Sequence, residues 1–198
     1  MNRRIVLFVL VFLTFAPVAL TGCGTSSPQP TTNVQEVGFD LDDTLVFSTP
    51  AFNRGFDRAD EAFSEEFWSV VNTSDAKHSC IKPEAAELVR KHRKQGRELF
   101  VITARQPVRA DAVRRFVELE FGIPRNHVFF EPEDKTERLK TLGIDIYYGD
   151  SDSDISDAQE ANIKPIRVQR NPESNYDEKY NPGKFDEEIL ENTAGHDC

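Results

Sequence analysis

Positive charge is scarce in this chain. Across 198 residues, 24 lysines and arginines face 34 aspartates and glutamates, for a formal net charge of −10 at pH 7. That balance argues against the clustered cationic face that a nucleic-acid backbone requires, so no nucleic-acid polymer is expected as a partner. Histidine is scarce as well. His78, His92, His127 and His196 show no ligand spacing, which leaves any metal centre to other donors. A long apolar run is also missing: residues 5–20 are apolar but are interrupted by Thr14 and Pro17, which is short for a membrane span. What remains is the composition of a globular domain, 38% hydrophobic and 29% charged, at a length that suits one compact fold.

The short apolar run fits a different use. It follows a basic start, Met1-Asn2-Arg3-Arg4, and ends in Leu20-Thr21-Gly22-Cys23. That order makes an export signal, and a Cys directly behind it resembles a bacterial lipoprotein signal. Residues 1–22 are therefore expected to be removed and Cys23 acylated as the new N-terminus, which makes a membrane the partner of the N-terminal lipid. The expected location is extracytoplasmic, on the periplasmic or cell-surface face of a bacterial membrane. Residues 23–35 read as a flexible tether rich in Ser, Thr and Pro, and residues 36–198 as the folded domain. Export would allow Cys80 and Cys198 to pair; a free thiol or an intermolecular bond at the last residue is equally open.

Within the folded part, apolar strands alternate with amphipathic helices. Residues 37–40, 98–103, 128–130, 144–148 and 166–168 read as strands. Residues 57–71, 83–95, 107–121, 135–142 and 155–161 read as helices, and the tail from Asn171 as polar and broken by proline. Continuous apolar strands separated by amphipathic helices predict an α/β fold, a doubly wound five-stranded parallel sheet covered on both faces. Ligands of such sheets bind beyond the carboxyl ends of the strands.

Four polar clusters stand at those ends. Asp40 and Asp42, in Asp40-Leu41-Asp42-Asp43-Thr44-Leu45, follow the first strand; Thr103-Ala104-Arg105 follows the second. Lys135 opens the helix after the third, and Gly149-Asp150-Ser151-Asp152-Ser153-Asp154 follows the fourth. Two carboxylates two residues apart at the mouth of a strand can divide the work, one attacking and the other moving protons. A carboxylate attacking a phosphate dianion brings like charges together, and one such pair at about 4 Å repels by roughly 4 kcal/mol at an effective dielectric near 20. Such a site needs a cation, and oxygen-only donors beside a phosphate favour Mg²⁺. The roles that follow are Asp40 as nucleophile beside the metal ion, Asp42 as general acid and then base, Asp150 as metal ligand and Asp154 as its support. Thr103 and the neighbouring backbone N–H groups at Ala104 would hold phosphate oxygens, and Lys135 would offset charge on both nucleophile and phosphate.

Other chemistries fit less well. Asp150, Asp152 and Asp154 alternate like the start of a calcium loop, but Ile155 and Ala161 stand where that loop needs Gly and Glu. No Arg-His-Gly tripeptide occurs, and Cys80 has no Arg six residues later, so histidine and cysteine routes to phosphate transfer are unsupported.

The ordered set resembles the haloacid dehalogenase-like superfamily and, more narrowly, the bacterial class B non-specific acid phosphatases. The match is carried by Phe39-Asp40-Leu41-Asp42-Asp43-Thr44, Phe47-Ser48-Thr49-Pro50, Thr103-Ala104-Arg105 and Tyr148-Gly149-Asp150-Ser151-Asp152-Ser153-Asp154-Ile155. It spans residue 37 to the end of the chain. The resemblance implies a Rossmann-type domain with a small helical cap. It also implies a Mg²⁺-dependent phosphomonoesterase of broad range, active on small phosphate monoesters including nucleotides and aryl phosphates. Some phosphotransfer to alcohols and a homo-oligomer, often a tetramer, belong to the same expectation. The backbone carbonyl of Asp42 would be a further metal ligand, Arg105 would stand near the phosphate, and Phe52, Trp68 and Tyr176 would line the pocket for the leaving group. Ala104 stands where the family pattern has Gly, and residues 53–79 match weakly. A lipoprotein signal is more typical of class C acid phosphatases, whose sequences lack the Gly-Asp-Ser-Asp-x-Asp run. The rival readings are a nucleotide-specific phosphatase or phosphotransferase, and a surface lipoprotein that binds a ligand on a phosphatase-like fold.

Overall fold

The structure, a computed structural model, describes residues 35–176 and 178–198. The expected export signal, Cys23 and nearly all of the tether lie outside the described residues. In chain order the domain runs β1 (Glu36–Phe39), β2 (Val46–Phe47), α1 (Thr49–Arg58), α2 (Glu65–His78), β3 (Cys80–Ile81), α3 (Pro83–Lys94) and β4 (Glu98–Thr103). It continues with α4 (Ala110–Phe121), β5 (Val128–Phe130), α5 (Thr136–Leu142), β6 (Ile144–Gly149), α6 (Asp152–Glu160), β7 (Lys164–Val168) and β8 (Glu188–Leu190). Among the described residues no helix is long and apolar enough to cross a membrane.

The period-2 alternation of strand side chains divides the core in two. On β4, Leu99 and Val101 join Val37, Phe39, Ala85, Val89, Val113 and Val117 on the face covered by α3 and α4. Phe100 and Ile102 point the other way and pack with Leu139, Tyr147 and Ala158 under α5 and α6. Every pairing in this sheet is parallel, in the order β5-β4-β1-β6-β7-β8. The chain moves outward from β1 through β4 to β5, then returns to the other side of β1 for β6. The direction of winding therefore reverses beside β1, and a crevice opens there at the carboxyl edge.

The fold class is the doubly wound parallel α/β sheet expected, with one strand more. The sixth, β8, lies in the tail read as polar and broken by proline, and Ile189 and Leu190 pair with Arg167 and Val168. Its three residues and an acidic first position give too short a pattern for a strand signal. The segment read as one helix over 57–71 is two helices, α1 and α2, separated by a turn in which Phe63 takes φ 61°. Ser64 restarts the chain as N-cap, its hydroxyl accepting the Phe67 N–H at 3.2 Å. α1 and α2 form the helical cap, inserted between β2 and β3, which pair antiparallel with Val46 opposite Ile81.

Two ties hold this insert to the domain. Cys80 on β3 forms a disulfide with Cys198, the two Cα atoms 5.3 Å apart, and the His196 ring stacks on Phe47 with centroids at 4.2 Å. The alternatives left open for these cysteines resolve as an intramolecular bond. The fully buried Lys82 donates from Nζ to the carbonyls of Asp43 and, at 2.7 Å, Gln169. Burial lowers its pKa to about 8 against the pull of Asp150 and Asp43. That ammonium fastens the loop after β1 to the chain leaving β7.

Candidate active site

The loop after β1 is a tight return. Leu45 and Val46 both donate their N–H to the Leu41 carbonyl, at 3.0 and 3.1 Å. Asp43 sits at φ 52°, in the left-handed region that Asp tolerates better than most residues. Its carboxylate accepts the Ser174 hydroxyl. Burial moves that carboxyl up to about 6, with the Ser174 bond and Lys82 opposing. The return leaves Asp40 and Asp42 at the crevice, 4% and 2% exposed.

Lys135, one residue ahead of α5, reaches the same place. Its backbone N–H is anchored on Asp157 of α6 at 3.0 Å. Its ammonium donates to Asp40 Oδ1 at 2.7 Å, to Asp154 Oδ1 at 2.6 Å and to the Tyr147 hydroxyl at 3.1 Å. Burial opposes the charge on Lys135, but Asp154 and Asp40 outweigh it and hold its pKa well above the usual lysine value. Asp40 shows the opposite balance. Burial drives its carboxyl well above the ordinary value; Lys135 pulls it down while Asp154, Asp150 and Asp42 add to the rise.

The Gly-Asp-Ser-Asp-Ser-Asp run is the start of α6. Ser151 is its N-cap: the Ser151 hydroxyl accepts the Asp154 N–H at 3.1 Å, and Asp154 Oδ2 accepts the Ser151 N–H at 3.1 Å. This reciprocal pair fixes Asp154 in place. Burial pushes the Asp154 carboxyl up, but Lys135 and the bonds from Ser151 more than offset it, so it lies below the ordinary value. Gly149 is required by this packing, because a Cβ there would stand 2.3 Å from the Asp154 Cβ. Asp150 is fully buried, accepting the Thr44 hydroxyl at 3.3 Å and Arg170 Nε at 2.6 Å, and burial raises its pKa to about 7. Asp152 turns away and accepts from Asn181 and Lys184, pinning the C-terminal segment.

Asp40, Asp150 and Asp154 thus converge although 110 residues separate the first two. Each offers a carboxylate oxygen, and these atoms all lie within 4.8 Å of one another. A buried set of three hard oxygen donors fits a Mg²⁺-like divalent cation. Thr103, fully buried at the end of β4, and Ala104 stand on the opposite lip of the crevice.

Arg105 is placed differently from the expectation of a phosphate contact. Its guanidinium lies between Asp42 and Asp75 at 1% exposure, so in this structure it meets two carboxylates in place of an anion position. Phe52, Trp68 and Tyr176 do come together, with Phe52 5.8 Å from Trp68 and 5.5 Å from Tyr176 between ring centroids. They wall a cavity of about 840 Å³ that also touches Ala104 and Ser153, and Phe56 and Phe63 extend its apolar rim.

Tyr147, Arg170, Asn72 and Asp75 also bear on the site, and the sequence reading missed them. Arg170 follows β7 by two residues, so the rule of ligands beyond strand ends could have found it. Tyr147 gives no such signal, since it reads as one more apolar strand position.

A parallel sheet whose winding reverses beside an Asp-x-Asp loop, with a lysine and an acidic pair delivered by later loops, defines the α/β phosphate-transfer hydrolases. Solved structures agree on the fold. CbbY from Rhodobacter sphaeroides, solved in complex with phosphate, superposes with a TM-score of 0.56 at 15% identity, over 81% of this chain and 95% of that one. A dehalogenase superposes at 0.54 and 13% identity, over 81% and 94%. The family model for the HAD superfamily, subfamily IIIB (acid phosphatase), matches residues 25–179. The class B acid phosphatase of Morganella morganii is 36% identical over 170 residues, 79% of this chain and 72% of that protein. That of Proteus mirabilis is 35% identical over the same shares. The chain belongs to the HAD subfamily IIIB acid phosphatases, and it is a phosphoric monoester hydrolase.

Proposed function

We propose that the protein hydrolyses small phosphate monoesters, nucleotides and aryl phosphates among them, with Asp40 as nucleophile and Mg²⁺ as the resident cation. The observation that carries this reading is the convergence of Asp40, Asp150 and Asp154 around one small space, with the Lys135 ammonium against two of them. Asp40, Asp150, Asp154 and the Asp42 carbonyl would hold the cation, which supplies positive charge where the phosphate and the nucleophile would otherwise repel each other.

An Asp40 oxygen attacks phosphorus, the bond from phosphorus to the ester oxygen breaks, and Asp42 gives its proton to the departing alcohol. Asp42 then takes a proton from water. The hydroxide so formed attacks phosphorus, the bond to Asp40 breaks, and inorganic phosphate leaves. Thr103 and the Ala104 N–H orient phosphate oxygens, and Lys135 keeps its charge beside Asp40 throughout. The cavity walled by Phe52, Trp68 and Tyr176 receives the leaving group. Its aromatic faces suit a nucleobase or an aryl ring.

A phosphate-release screen over diverse monoesters, with and without Mg²⁺, tests this reading. Broad turnover that chelation stops and Mg²⁺ restores is expected; full turnover in excess chelator refutes the cation. Strong preference for nucleotides alone would narrow the range. New nucleotide formed when a free nucleoside is added at high concentration would establish the transferase side reaction. The extracytoplasmic, lipid-anchored form and the homo-oligomer belong to the same proposal. Labelled palmitate should enter the protein through Cys23 and not in Cys23→Ala, and unchanged labelling of that variant would refute the anchor.

A further inference from the structure

Every N–H of Arg105 is engaged by protein. Nε donates to Asp42 Oδ2 at 2.9 Å and Oδ1 at 3.2 Å. Nη2 donates to Asp42 Oδ1 at 2.7 Å and Asp75 Oδ1 at 3.1 Å. Nη1 donates to Asp75 Oδ2 at 2.6 Å and Asn72 Oδ1 at 3.2 Å. A guanidinium is a rigid planar fork, so it cannot turn toward one carboxylate without loosening its hold on the other.

The second carboxylate comes from the cap. Asn72 and Asp75 are three residues apart and share one face of α2. Asp75 is itself fixed by the C-cap of that helix, the Ser79 hydroxyl donating to Asp75 Oδ1 at 2.7 Å. Asn72 secures the backbone that follows Arg105, its amide donating to the carbonyls of Gln106 at 3.0 Å and Val108 at 2.6 Å. All of these side chains but Ser79 are buried to 1–2% exposure. The same helix carries Phe67 and Trp68 in the aromatic cluster beside the cavity.

We propose that Asp75, with Asn72, is a positioning residue: it fixes Arg105, and Arg105 in turn aims the Asp42 carboxyl at the leaving-group oxygen. One helix of the cap then serves both to recognise the leaving group and to place its proton donor. This rests on the reading of Asp42 as general acid, and the experiment separates the two.

The test is the dependence on leaving group. A nitrophenolate departs with little need of a proton, whereas an alkoxide departs poorly without one. kcat/KM covers only the steps through departure of the alcohol, so it isolates the acid step. Asp75→Asn should lower kcat/KM for an alkyl phosphate about tenfold more than for p-nitrophenyl phosphate, a fraction of what a positioned acid supplies. Ser79→Ala should shift the same ratio in the same direction by a smaller factor, and it serves if Asp75→Asn does not fold. Equal losses on both substrates, in whichever of these variants folds, overturn the proposal. Asp42→Asn measured alongside should show the largest split. If it shows none, the role given to Asp42 fails; a split in Asp42→Asn without one in the α2 variants rejects the positioning role alone.

Discussion

Replacing Asp40 with Asn is expected to reduce phosphate release by at least about 10⁴-fold while the protein stays folded. The amide has the volume of the carboxylate and keeps an oxygen for Lys135, but it is not a nucleophile toward phosphorus. The folded state gains from the change. Asp40 sits where burial opposes its charge, with Asp154, Asp150 and Asp42 adding repulsion and Lys135 relieving only part of it. A neutral side chain removes that repulsion, so the melting temperature in chelator should hold or rise. Release of nitrophenol and thermal unfolding, measured on one preparation, check both halves. Activity within about a hundredfold of the parent would mean that water attacks the phosphate directly. A collapsed melting temperature would mean that Asp40 is a structural partner of Lys135 first.

How far the site could be read in advance depended on whether each residue acts from a strand end or across the fold. Asp40 and Asp150 lie just beyond the carboxyl ends of strands, where the winding rule directs attention, whereas Lys135, at the head of α5, stands out only in ordered company with those acids. Asp154 was legible in the acidic run that follows the fourth strand; what holds it, the capping box it makes with Ser151, is visible only in the structure. The partner of Arg105 was not legible. Asp75 lies 30 residues away on a helix that the sequence pattern placed over 57–71, ending before it, because Phe63, Phe67, Trp68 and Val71 are spaced like a helical face. That spacing runs across a real break: Phe63 takes a left-handed φ and Ser64 restarts the chain. The aromatic cluster that draws Phe52, Phe63, Phe67 and Trp68 together is tertiary, and a local pattern could not distinguish it from one amphipathic helix. β8 was hidden by the same limit, since three edge residues owe their strand form to pairing with β7 rather than to propensity.

Replacing Lys135 with Met should have the largest effect on stability and should steepen its gain toward acid pH. The ammonium lies between Asp40 and Asp154 at 5% exposure, and removing one partner of a buried ion pair costs about 3–5 kcal/mol. In a domain of this size that lowers the melting temperature by roughly 10 °C in the absence of divalent cation. In the parent, Asp40, Asp150 and Asp43 already titrate above their unfolded values, whereas Asp154 lies below its own, so the Asp154 contribution is present above about pH 4 and is lost as pH falls further. Lys135 is the chief charge that depresses it, against burial. Without the lysine, burial decides, and Asp154 and Asp40 both titrate above their unfolded values. Their cost to the variant is then greatest at neutral pH and relieved as protons bind. The variant should therefore gain more stability between pH 7.5 and pH 5 in chelator than the parent does, and Mg²⁺ at pH 7.5 should raise its melting temperature more than it raises that of the parent. Activity should fall by about 10³-fold, the scale of losing one charge aimed at the transferring phosphate. Urea unfolding of both proteins at the two pH values decides the matter. A variant that gains no more than the parent does, either toward pH 5 or from Mg²⁺, would show that the lysine is not the countercharge of the acidic cluster.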